Sequence, residues 1–339
     1  MTYNNNSWLF SRRTAIKFLA GVAGGMILHG QNPVVAQSSS QMKMTLGGVT
    51  WIGLTPFYIA QEKGFFADEN LEVKLQIFGA NTDYVSAFLA NRIDGCISCV
   101  TSEAVVLADK GKDYKIVLVQ DNSAGGDGIL ARNSITSLAD FKGKKVAAEQ
   151  GGVGHFFLLQ VLKEVGLTGN DITIINADAS TAAAAYQAGN VEIASTYAPF
   201  LSQANEAQPD GRIIYDSSKM PTAITDFYTF DSKYIDANPE AVTAFVKAIV
   251  KALDFLETNR DEAIAIAAGK LEITPEALAA DLEGIELPDL ETNLEMLANP
   301  NSDLYILKPL NAMAEFLVSQ GQIKTVPDMA SFIEPKFIR

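Results

Sequence analysis

Trp51, Thr55 and Phe57 stand in one short loop, two aromatic faces with a hydroxyl between them. Such a set can wall a small ligand or edge a hydrophobic core. Gly151-Gly152-Val153-Gly154-His155 precedes an apolar helical run. Glycines there let backbone approach a ligand, and amides at a helix start attract oxyanions; a plain turn fits equally. Asn81 beside Thr82, and Thr101 with Glu103, stand at two more predicted helix starts. They serve a ligand, or they cap the helix and complement its dipole. Asp127 and Asp226 can hold an amino or guanidinium group through charge-assisted hydrogen bonds, or cap turns. Tyr197 adds a further aromatic wall.

These residue types recognise; they do not form a catalytic set. His29 and His155 are the only histidines, too few for a His-rich metal site. A Ser-His-Asp triad would depend on His155, and no Gly-x-Ser-x-Gly elbow occurs. No catalytic residue, metal or cofactor is expected. Because no lysine or arginine falls within these loops, the preferred ligand is a cation or nitrogen-rich solute, guanidinium-, urea- or aminopyrimidine-like. The alternative is an anion (alkanesulfonate, taurine, nitrate or bicarbonate) held by amides of 151–155.

The elements positioning these loops alternate. Strands are predicted at 44–48, 71–78, 95–100 and 114–120, with helices at 55–63, 83–90 and 102–110 between them. The alternation repeats over 138–196, the signature of parallel-sheet α/β architecture. Ligands of such sheets bind beyond the carboxyl ends of the strands, where the loops above lie. From Pro239 the chain turns helical, with Val242, Phe245, Val246, Ile249, Leu253 and Leu256 on one stripe. Cys96 and Cys99 fall inside the 95–100 strand. Three-residue spacing in regular strand points them to opposite faces, so they read as small core residues and not as a redox pair.

Several separated motifs carry a family resemblance: Trp51–Phe57 leading to Gly64-Phe65-Phe66, Ser123-Ala124-Gly125-Gly126-Asp127, Leu138 to Val146, Gly151 to His155, and Tyr197-Ala198-Pro199-Phe200. The chain resembles the periplasmic solute-binding proteins of ABC importers, in the nitrate/sulfonate/taurine and thiamine-precursor group. The resemblance implies two hinged α/β lobes (the type II binding-protein fold), each a mostly parallel sheet flanked by helices, with a helical C-terminal tail. Lobe 1 is expected at 43–128 plus 225–339 and lobe 2 at 129–224, with crossovers near 127–132 and 225–230. It also implies a monomer that takes solute between its lobes and docks on a membrane permease driven by an ATPase. Thiamine-pyrimidine synthases share the fold, but their cysteine-rich motif is not visible here.

Residues 1–36 read as an export leader. Arg12-Arg13 and Lys17 precede an apolar run at 18–28, and Val34-Val35-Ala36 offers a cleavage site. The paired arginines resemble a twin-arginine signal, and the periplasm is the expected location. The leader holds three cations and no carboxylate, so its loss takes the formal charge from −14 to −17. So acidic a surface disfavours nucleic acid as a partner.

Overall fold

A computed structural model describes residues 41–339; the readings of an export leader, a twin-arginine signal and a cleavage site fall on residues outside those described. Among the described residues, eleven strands form two sheets. The first contains β1 (Met42–Gly48), β2 (Leu71–Ile77), β3 (Gly95–Val100), β4 (Tyr114–Ser123), β10 (Thr225–Asp231) and β11 (Ile285–Glu286), in the order β11-β4-β10-β3-β1-β2. The second contains β5 (Asp127–Arg132), β6 (Lys145–Ala148), β7 (Thr173–Asn176), β8 (Ile193–Tyr197) and β9 (Gly211–Asp216), ordered β7-β6-β8-β5-β9.

Each sheet keeps a parallel side, β2-β1-β3 and β7-β6-β8. Around the strand arriving from the other lobe it becomes antiparallel: β10 against β3 and β4, β5 against β8 and β9. The two lobes of a periplasmic-binding-protein fold result. The sequence-based crossovers at 127–132 and 225–230 are therefore strands inside the sheets. The chain actually passes between sheets just ahead of them, after Ser123 and after Asp216.

Side-chain hydroxyls and glycine backbone hold that passage. Ser123 Oγ and Ser217 Oγ lie 2.8 Å apart, and Ser217 Oγ also accepts from Gly125 N at 2.7 Å. The carbonyl of Gly284, in the C-terminal region, accepts from Ala124 N and Gly126 N. Gly125 takes φ +134, and a Cβ on Gly126 would stand 2.6 Å from the Trp51 ring. Hence the pair must be glycine.

The Gly64-Phe65-Phe66 corner serves the core of the first lobe. Helix Thr55–Glu62 ends at Gly64, whose φ of +74 turns the chain. Phe66 then stacks on Phe245 of helix Pro239–Thr258 at 5.6 Å, and Phe57, Tyr228 and Phe230 close around them. The C-terminal helices thus pack back on the first lobe. Cys96 and Cys99 are both buried and free. Their expected opposition fails because Ser98, at φ +58, breaks the strand alternation opposite an irregularity in β10.

Candidate functional site

The loops beyond the strand ends of both lobes meet at a cavity lined by Val49, Trp51, Asn81, Ser98, Val100, Asp127, Val153, Tyr197 and Asp226. Its volume is about 10 Å³, room for about one water. The cleft is closed here, and any larger solute needs the lobes to part.

Contacts across the cleft start from the aromatic walls. Trp51 meets Tyr197 edge to face at 5.7 Å, and the Tyr197 hydroxyl donates to Asn81 Oδ1 at 3.2 Å. Glu149, just past β6, reaches the other lobe and accepts from Asn81 N (3.1 Å) and Thr82 N (2.8 Å) at the start of helix Asn81–Leu89. Gly152 makes room for this, since a Cβ there would stand 2.8 Å from the Glu149 carboxyl carbon.

Buried acids dominate the electrostatics. Asp127 and Asp226 line the cavity at 4% and 3% exposure. Burial pushes Asp127 up to about 7 against the opposing hydrogen bond from Ser123. Burial raises Asp226 well above the carboxylate range, and the nearby charges of Asp121, Asp127 and Glu103 add to it. Asp121 lies behind Trp51 and accepts its indole N–H at 3.0 Å on Oδ2, while Oδ1 is buried without a partner. Burial raises it too, against the bond from Trp51. Among the residues lining the cavity, none is a lysine or arginine. Among the described residues, no group of three or more potential ligands is placed to hold a metal ion.

Of the sequence-predicted site residues, Trp51, Asn81, Asp127, Val153, Tyr197 and Asp226 converge on this cavity. The others do not line it. Phe57 is fully buried in the aromatic core with Phe66 and Phe245, because the helix opening at Thr55 turns that face inward. Thr55 Oγ1 bonds back to the Ile52 carbonyl at 2.7 Å. Thr101 Oγ1 pairs with both the N–H and the carbonyl of Thr225, tying its helix to β10. Glu103 is buried beneath the site, its Oε2 accepting from the Tyr84 hydroxyl and from Val100 N and its Oε1 unpartnered. Burial pushes it up to about 8. His155 Nδ1 accepts from Gly151 N, and Gly152 caps helix Val153–Glu164.

Sequence reasoning passed over Asp121, Glu149 and Ser98. Asp121 and Glu149 each sit at the carboxyl end of a strand, the position where α/β sheets place ligand groups. That rule, applied at the carboxyl ends of β4 and β6, points to both.

The chain is similar to several known proteins. A Brucella abortus protein assigned as a binding protein is 28% identical over 280 residues, covering 80% of this chain and 83% of its own. The taurine-binding periplasmic protein of Escherichia coli is 23% identical over 301 residues, 84% of this chain and 89% of that protein. The periplasmic aliphatic sulphonate binding protein of Escherichia coli superposes with a TM-score of 0.69 at 20% identity, covering 86% of this chain and 97% of that one. The family described as NMT1/THI5 like matches residues 51–263, and the chain belongs to it.

Proposed function

We propose that the protein is the extracytoplasmic solute-binding component of an ABC-type importer, working in the periplasm with a permease and an ATPase. Lobe 1 (43–128 with 225–339) and lobe 2 (129–224) close on a small cationic or nitrogen-rich solute of guanidinium, urea or aminopyrimidine type. The observation that carries this reading is the pair of buried acids, Asp127 and Asp226, facing a cavity whose lining has no lysine or arginine. Once ionised, they repel like charge and form charge-assisted bonds with a cation in low dielectric. Trp51 and Tyr197 supply faces for cation–π contact, each worth ~0.5–2 kcal/mol.

An anionic solute is the second reading, favoured by the taurine- and sulphonate-binding names of relatives. Catalysis is not part of the proposal. The Cys96 and Cys99 thiols are held well above their usual range by burial, and His155 is pushed down by burial.

A thermal-shift screen of the full chain against guanidinium, urea, aminopyrimidines, taurine, methanesulfonate and nitrate tests the reading. A true ligand at 100 times its Kd stabilises by ~2.7 kcal/mol. Stabilisation by the sulfonates or nitrate, with none from the nitrogenous set, would overturn the charge assignment.

A further inference from the structure

Glu149 does something that neither its strand nor its loop requires. It comes from the second lobe, is 7% exposed, and places one carboxylate oxygen on each of two consecutive amides, Asn81 N and Thr82 N. Those amides open a nine-residue helix of the other lobe. Helix starts of this kind seat carboxylates, sulfonates and phosphates, because unpaired N–H groups and the helix dipole both favour negative charge. The Asn81 side chain beside this seat takes the Tyr197 hydroxyl, and both residues line the cavity.

The local backbone is shaped to deliver the carboxylate. Gly151 takes φ +86, and Gly152 N bonds to the Glu149 carbonyl at 3.0 Å, folding the chain into a tight turn. Gly152 has no Cβ to push the acid away.

We infer that Glu149 is a specificity-determining residue: an internal anion that fills the acid seat at the start of helix Asn81–Leu89 when the lobes close, and so bars sulfonates and carboxylates from the cleft. An anionic solute would have to evict it or lie beside it. Both are unfavourable, and discrimination of this kind works by penalising the wrong partner. The inference rests on the cleft being the solute site.

The test is titration of methanesulfonate into the full-length wild type, Glu149→Ala and Glu149→Gln, read by isothermal calorimetry, with methylguanidinium titrated in parallel. The alanine variant is expected to bind methanesulfonate about tenfold more tightly than wild type, or better. The glutamine variant keeps the volume and loses the charge, so a smaller gain is expected. It decides the matter if the alanine variant does not fold. No gain in any folded variant overturns the assignment, as does wild-type sulfonate binding that neither substitution improves. Absence of methylguanidinium binding to wild type would sink the ligand-charge reading alone, leaving a sulfonate gain in the variants as support for Glu149.

Discussion

Asp127 illustrates how one side chain can couple protonation to the state of the cleft. Its folded value is raised from 3.8 to about 7, and that of Glu103 from 4.5 to about 8. A carboxyl with a raised folded value binds its proton more tightly when folded. Its contribution to stability is therefore complete below the unfolded value and is lost as pH climbs through the folded one. The solute-free protein should lose stability from about pH 4 to about pH 8, the window bounded by these two groups. Asp127→Asn removes one of them without changing the packing. Calorimetric melts should show a flatter profile and a higher Tm at pH 8, by about 2–4 °C for each kcal/mol recovered. The same variant should bind the cationic solute more weakly. A profile as steep as wild type would mean that Asp127 is ionised within the closed cleft.

Among the elements, the helix Thr55–Glu62 separates what local sequence tells from what it withholds. Pro56 in the first turn and Gly64 past the end fix where it starts and stops, and both were readable. Which of its faces meets solute was not. Phe57 looks like a ligand wall beside Trp51, yet it packs against Phe66 and against Phe245, nearly two hundred positions away. Phe57→Ala should thus cost about 3–5 kcal/mol in chemical denaturation, as a core truncation does, and leave solute affinity in the folded fraction unchanged. Lost affinity at full stability would return Phe57 to the site. Trp51, Asp127, Tyr197 and Asp226 were legible because each falls at a strand end or a crossover. Glu149 was not, since its partners at 81 and 82 lie 68 and 67 positions earlier on the other lobe. The Cys96/Cys99 geometry failed for a smaller reason, one left-handed residue at Ser98.

On the scale of the whole molecule, the fold itself gathers acids that repel one another, since Asp121 and Asp226 stand opposite each other on β4 and β10 and Asp127 opens β5 just past the passage between the sheets. Asp127 disfavours ionisation of Asp121, both disfavour that of Asp226, and burial disfavours it in all three. The buried cluster can therefore be satisfied in two ways, by protons or by a bound cation. If the solute is the cation we propose, its capture must expel protons. Affinity should then weaken as pH falls below about 7, the value to which Asp127 is pushed. For each proton exchanged, Kd should rise roughly tenfold per pH unit. Titrations at pH 7 in phosphate and in Tris measure the exchange directly. The buffers differ in ionisation enthalpy, so released protons make the two apparent binding enthalpies differ. Equal enthalpies, together with a Kd that is flat with pH, would show that the acids keep their protons when solute binds. A neutral, hydrogen-bonding solute such as a urea would then account for the cleft better than a guanidinium.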